Sequence, residues 1–118
     1  MKDFGPQFRA IVEAELPEGT RIVMPRGDEG LMILATWRLP PSDPYRPAKR
    51  SRMVRIAITQ EALADYAAGS DEGRLASNAR LVTWLRRQIA DFDPHHDAPL
   101  GVEPPPVTWP LGTRELNG

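Results

Sequence analysis

Hydrophobic residues along this chain alternate between helical and strand periodicity, and the changes mark the expected secondary structure. From Phe4 to Val12 the apolar residues repeat at helical spacing, which predicts a helix over 6–16. Residues 20–25 and 31–39 are rich in Ile, Val, Leu and Met, and they predict two strands joined by a loop of hairpin length. The first third of the chain is therefore expected to form a helix and a β-hairpin.

The rest of the chain predicts a loop, one strand and two helices. The prolines of 40–51 remove backbone donors and predict a loop. The alternating apolar residues of 54–58 predict a third strand, and Thr59 is a suitable N-cap for a helix over 60–68. The longest helix is expected over 71–92, where an apolar stripe lies on one face. This stripe comprises Leu75, Val82, Leu85, Ile89 and Phe92, with Leu81 and Ala79 beside it.

The order of these elements, α-β-β-β-α-α, is typical of an α+β domain with two layers. We expect a three-stranded antiparallel sheet packed by the N-terminal and C-terminal helices, with residues 1–93 forming a single domain. Residues 94–118 are rich in proline and predict an extended C-terminal tail that packs on this domain. Within the tail, Val107 and Trp109 are candidates for a fourth strand at the edge of the sheet.

Composition narrows the class of protein. A chain of 118 residues with 41% hydrophobic and 26% charged residues is long enough for one core and is not typical of a disordered protein. The absence of cysteine excludes disulfides, a thiol nucleophile and cysteine-bound zinc. The N-terminus lacks the apolar core of a signal peptide, and no apolar run reaches the ~20 residues that span a bilayer. We therefore expect a cytoplasmic protein with no membrane partner.

A basic segment is the least random feature of the charge pattern. Five of the 15 Lys and Arg residues lie within 46–55, which contains no acidic residue, although the net charge of the chain is only -1. Such a segment is able to bind an anion or a nucleic acid, but it is also typical of a solvated loop. The slightly acidic chain and the lack of a known nucleic-acid motif favour the loop. The candidates for anion or nucleic-acid binding are Tyr45, Arg46, Lys49, Arg50, Arg52 and Arg55.

A second candidate surface surrounds a tryptophan of the long helix. Trp84 lies roughly 120° from the centre of the apolar stripe, with Arg80 and Arg87 one turn away on either side. Tryptophan and arginine are enriched at the hot spots of protein interfaces. Trp84 is therefore expected either to bind a partner or to be covered by the proline-rich tail, with Trp109 involved in both cases.

No motif in the chain predicts catalysis. There is no nucleophile elbow and no glycine-rich phosphate loop, so we expect neither an enzyme nor a cofactor. Acidic and histidine side chains are adjacent near the end of the long helix, but metal sites usually draw ligands from separate elements. We assign no metal there and leave open whether a divalent ion binds. The residues concerned are Asp91, Asp93, His95, His96 and Asp97.

The segments Ile56–Tyr66 and Phe92–Pro106 resemble a family of short proteobacterial proteins known as a domain of unknown function. The resemblance covers the C-terminal half of the chain, and it implies a bacterial protein of one domain without implying any activity, cofactor or catalytic residue. Together with the residue patterns, it favours a non-enzymatic module for protein interaction or self-association, with a homodimer as one form. The alternative is anion or nucleic-acid binding through the basic segment.

Overall fold

The computed structural model describes residues 4–25, 30–39, 50–96, 99 and 102–118. Within these residues the chain forms four helices and four strands, which confirms the α+β class. The elements are α1 (Gly5–Glu15), β1 (Arg21–Val23), β2 (Leu31–Thr36), β3 (Val54–Ile58), α2 (Gln60–Ala68), α3 (Asp71–Asp91), β4 (Val107–Leu111) and α4 (Thr113–Asn117).

The sheet is mixed and has the strand order β1-β2-β3-β4. The first three strands are antiparallel, as predicted, but β4 pairs in parallel with β3. The predicted three-stranded antiparallel part is therefore present, and the candidate fourth strand with Val107 and Trp109 forms β4 at the edge, but its parallel pairing makes the sheet mixed. The reason lies in the connection, because α2 and α3 together carry the chain back along the sheet before β4 begins. Pro110 is tolerated in β4 because this strand lies at the edge.

Side-chain caps fix the beginnings of the two central helices. The Thr59 hydroxyl accepts a hydrogen bond from the Ala62 N–H at 3.1 Å, and the Ser70 hydroxyl accepts one from the Gly73 N–H at 3.0 Å. Each cap satisfies a donor that the first helical turn leaves free. The helices α2 and α3 are therefore separate elements that meet at Gly69.

The buried face of α3 differs from the predicted stripe. Its buried residues are Ser77, Leu81 and Leu85, whereas Leu75 is 69% exposed. Leu75 lies about 120° around the helix from Leu81, so a core contact centred on Leu81 leaves it at the margin. Trp84 is half-buried and packs against the core.

Aromatic residues connect the sheet to α3. Phe92 makes edge-to-face contacts with Trp37, which directly follows β2, at 5.8 Å and with Trp109 of β4 at 5.4 Å between ring centroids. Trp84 in turn contacts Trp109 at 6.4 Å. Such pairs contribute roughly 0.5–1.5 kcal/mol beyond the area that they bury. The C-terminal strand is therefore held by both the sheet and the longest helix.

The last residues also dock on the helices. Leu116 of α4 is fully buried. The Asn117 amide donates to the Ala62 carbonyl at 3.2 Å and accepts from the Ser77 hydroxyl at 3.2 Å. The described residues of 94–118 thus include a strand and a short helix.

One glycine allows the close approach of β2 to the end of β3. Gly30 has φ of +77°, and a Cβ at this position would lie 2.2 Å from the Ile58 carbonyl oxygen. Only glycine fits this conformation and this contact without strain.

None of the described helices, between Gly5 and Asn117, is long and apolar enough to cross a membrane.

Candidate functional site

The two faces of the sheet differ in what covers them. Successive residues of a strand point to opposite faces, and one face carries the fully buried Ile33 and Ile56. The buried apolar side chains of all four helices join these residues in a single core. No described helix packs on the other face, which we call the open face. Its residues are Arg21, Val23, Met32, Leu34, Thr36, Arg38, Arg50, Arg55, Ala57, Thr108 and Pro110.

Three arginines gather at one end of the open face. Arg21 lies opposite Thr36 in the β1–β2 pair, and Arg38 forms an isolated bridge with Arg50. The Arg50 guanidinium reaches back along β2, where Nε donates to the Thr36 hydroxyl at 3.1 Å and Nη2 donates to the Thr36 carbonyl at 2.8 Å. We call Arg21, Arg38 and Arg50 the arginine cluster.

The electrostatic environment of Arg50 reflects this clustering. Partial burial lowers the pKa of Arg50, and the positive charges of Arg21 and Arg38 lower it further. The guanidinium remains charged at neutral pH, because arginine is effectively always protonated in proteins. The cluster is therefore a site where like charges repel one another.

Acidic side chains are segregated from this cluster. The four strands contain no Asp or Glu, whereas the helices contain several. The described ion pairs, Arg74 with Asp71 and Arg86 with Glu15, are both on helices. Among the described residues, no carboxylate lies within 4.0 Å of a guanidinium of the arginine cluster. The arginine cluster consequently has no counter-ion among the described residues.

The other end of the open face is apolar. Met32 lies opposite Ala57, which lies opposite Pro110, and these three form one row across the sheet. Val23 is 49% exposed and Met32 is 37% exposed. Val23 lies in the neighbouring row, opposite Leu34, and that row continues across the sheet with Arg55 and Thr108. Exposed apolar side chains therefore lie beside arginines on this face.

The structure divides the predicted basic segment. Tyr45, Arg46 and Lys49 lie outside the described residues. Arg50 and Arg55 lie on the open face, whereas Arg52 precedes β3 and its backbone N–H donates to the Pro94 carbonyl at 3.1 Å. Thus only part of the segment contributes described side chains to this face.

Two members of the arginine cluster, Arg21 and Arg38, were not predicted as site residues. Each follows the strand alternation, since Arg21 precedes the buried Ile22 and Arg38 follows the buried Trp37. This alternation was a usable signal for their face. What the sequence did not provide was the strand register that brings both residues to Arg50.

The residues predicted around Trp84 do not form one exposed patch. Trp109 is only 4% exposed and lies against Trp84. Arg87 is exposed, and the exposed Arg80 places its guanidinium beside Gly118. An interface here would therefore consist of the half-buried edge of Trp84 and the arginines around it.

The histidine segment lies next to the arginine cluster. The His96 ring nitrogen Nε2 is 3.0 Å from the Arg50 carbonyl oxygen, and the Asp93 carboxylate accepts from the His95 N–H at 3.0 Å. Asp97 lies outside the described residues, and Asp91 is exposed at the end of α3. Within the described part of the chain, no three His, Asp or Glu residues are close enough to hold a metal ion.

Comparison with known proteins adds no assignment to this geometry. No protein-family model, curated protein or solved structure matches the chain. The resemblance to short proteobacterial proteins stays a prediction. The function has to be inferred from the chemistry of the open face, because a fold alone does not specify one.

Proposed function

We propose that this protein is a non-enzymatic interaction module that binds another protein through the open face of its sheet. The observation that carries the proposal is the combination of exposed apolar side chains and arginines without acidic partners on the one face that no described helix covers. The exposed face of an antiparallel sheet is usually polar. Here Val23, Met32 and Pro110 occupy positions where a solvated sheet would carry polar residues.

The residue types of the open face favour a protein partner. Protein interfaces are enriched in arginine and methionine and depleted of lysine and acidic residues. The described open face carries four arginines, at positions 21, 38, 50 and 55, together with Met32, and it has no lysine or acid. This composition differs from that of the helices, where acids and arginines are mixed.

Nucleic-acid binding is less well supported. Single-stranded nucleic acids are usually bound by arginines together with aromatic side chains on which bases stack. The described residues of the open face include no aromatic side chain. The arginines alone favour an anionic partner, and the exposed Val23 and Met32 favour an apolar one.

Selection of binding peptides tests the proposal. Peptides selected from a random displayed library would be mapped by NMR chemical shifts and measured by calorimetry against two variants. Met32→Asp places a charge on the open face, and Leu75→Asp is the matched control because Leu75 is an exposed apolar residue of α3. We expect Met32→Asp to weaken binding about tenfold or more and Leu75→Asp to leave it unchanged. Peptides that map to α3 and ignore Met32→Asp would contradict the proposal.

Self-association through α3 is a second candidate. It is favoured by the half-buried Trp84, which lies between the exposed Arg80 and Arg87. Light scattering at low and high salt would compare the wild type with Trp84→Ala and Met32→Asp. A dimer lost only in Trp84→Ala would favour self-association through the helix. A monomer in every condition would contradict it.

A further inference from the structure

We infer that the partner is a protein segment with acidic and apolar ends, whose carboxylates bind the arginine cluster while its apolar side chains cover Val23 and Met32. The inference rests on the proposed function and specifies the chemistry of the partner. It is carried by charge complementarity, because the arginine cluster has no carboxylate partner among the described residues.

The arginine cluster has the properties of a preorganised site for binding carboxylates. Arg21 and Arg38 are exposed and lie close enough to Arg50 to affect its ionisation. Guanidinium groups bind carboxylates with two parallel hydrogen bonds, and such charge-assisted bonds are the strong ones. Three positive charges without a described counter-ion repel one another, and a bound acidic segment would relieve that repulsion.

Arg50 is held in one orientation before any partner arrives. Its Nε and Nη2 atoms donate to Thr36, and these hydrogen bonds orient the planar group along β2. Rigid donors lose less conformational entropy on binding than mobile ones. The Arg50 carbonyl is also 3.0 Å from the His96 ring, which adds a contact at the backbone of the same residue.

The register sets the spacing that the partner has to match. Thr36 marks the basic end and Met32 the apolar end of β2, and the two residues are four positions apart. At about 3.3 Å per residue this is a distance of about 13 Å along the strand. An extended partner lying along β2 would therefore carry its acidic and apolar residues about four positions apart.

Apolar contact distinguishes this partner from other anions. A nucleic acid or a free phosphate would satisfy the arginines but would leave the apolar row of Met32, Ala57 and Pro110 in water. Only a segment with both kinds of side chain buries both ends of the open face. The partner that fits the open face is therefore a protein segment that carries both acidic and apolar side chains.

The test uses a labelled synthetic peptide with three consecutive glutamates, a short spacer and three consecutive leucines or valines at the inferred spacing. A second peptide replaces the glutamates with glutamines. Fluorescence anisotropy would compare wild-type protein, the double variant Arg21→Glu/Arg38→Glu, and the control Arg80→Glu/Arg87→Glu. The control makes the same change in net charge on exposed arginines of α3. A neutral pair, Arg21→Gln/Arg38→Gln, covers the case in which charge reversal impairs folding, which circular dichroism would reveal.

We expect the glutamate peptide to lose about tenfold or more in affinity for the Arg21 and Arg38 variants and less than about threefold for the control. Higher salt should weaken binding of the glutamate peptide more than binding of the glutamine peptide, because ions screen the charged contacts. Equal weakening by both charge variants would overturn the inference, since it would show an effect of net charge alone.

Other outcomes separate this inference from the proposed function. If both peptides bound equally well and Met32→Asp weakened both, the inference of an acidic partner would be wrong. The open face would still be the binding surface. Failure of both peptides, with selected peptides mapping to α3, would overturn both. A labelled oligothymidylate that binds more tightly than the glutamate peptide and depends on Arg21 and Arg38 would overturn the inference in favour of a nucleic acid.

Discussion

The two faces of the sheet are built from the same strands but follow different rules. Ile33 and Ile56 are fully buried beneath the helices, while their neighbours Met32 and Arg55 are exposed on the open face. Packing accounts for the residues of the inner face, because close contact requires apolar side chains of fitting volume. It does not account for arginines and exposed apolar residues on the open face. Stability accounts for the residues of the inner face, whereas under our proposal binding accounts for those of the open face.

The largest expected effect is a difference in stability between alanine substitutions at two adjacent residues of β2, Ile33 and Met32. Ile33→Ala should lower the free energy of unfolding by about 3 kcal/mol or more, because it removes buried methyl groups and leaves a cavity. Met32→Ala should lower it by less than about 1 kcal/mol, because Met32 is already 37% exposed. Urea unfolding followed by circular dichroism measures both. Comparable losses at the two positions would show that the open face is covered in solution.

A substitution at Tyr66, in the helical layer, should lower the free energy of unfolding by less than Ile33→Ala does. The size of this loss should depend on pH. Its hydroxyl accepts from the Gln7 amide at 2.9 Å and donates to the Asn78 carbonyl at 2.8 Å. Burial raises the pKa of Tyr66, with opposing contributions from Asn78, Arg74 and Gln7. Tyr66→Phe removes both hydrogen bonds and should cost about 1–2 kcal/mol at neutral pH.

The sign of the pH effect follows from the raised pKa. The folded protein holds the phenolic proton more tightly than the unfolded chain, so the contribution of Tyr66 is complete below the ordinary tyrosine pKa of about 10. It declines as the pH rises from there through the pKa of the folded state. Unfolding measured between neutral pH and pH ~11 should therefore show a loss of stability that is smaller in Tyr66→Phe. Identical alkaline slopes would contradict a raised pKa.

Local patterns predicted the elements that are specified by nearby residues. The helix over 60–68 and the strand over 54–58 have the predicted bounds, and Thr59 caps α2. The five residues of α4, in contrast, carry no detectable periodicity, and Leu116 alone supplies the buried anchor of that helix. Its position depends on contacts with α2 and α3, which are distant in sequence.

The candidate site was only partly accessible to sequence reasoning for a similar reason. A local run of basic residues identified Arg50 and Arg55, but Arg21 and Arg38 come from other segments. These residues meet Arg50 only through the pairing of β1, β2 and the residues before β3. The alternation within a strand predicts the face of each residue, but it does not state which residues of neighbouring strands lie opposite one another. The parallel pairing of β4 escaped prediction because it too depends on a long connection.

The smallest effect concerns the arginine cluster in the absence of a partner. Arg38→Gln removes one of three mutually repelling charges, so it should raise the free energy of unfolding slightly, by about 0.5 kcal/mol or less. The gain should disappear at high salt, where the charges are screened. Arg80→Gln on α3 is the control, and thermal unfolding at two salt concentrations provides the measurement.

Arg38→Gln would distinguish the two faces most directly if it stabilised the fold and also weakened binding of the glutamate peptide. It would show that the wild-type residue costs stability and is useful only when the open face is occupied, as expected where binding rather than folding determines a residue. A destabilising Arg38→Gln would mean instead that this arginine supports the fold. In that case stability would account for residues of both faces, and only the exposed Val23 and Met32 would still favour binding at the open face.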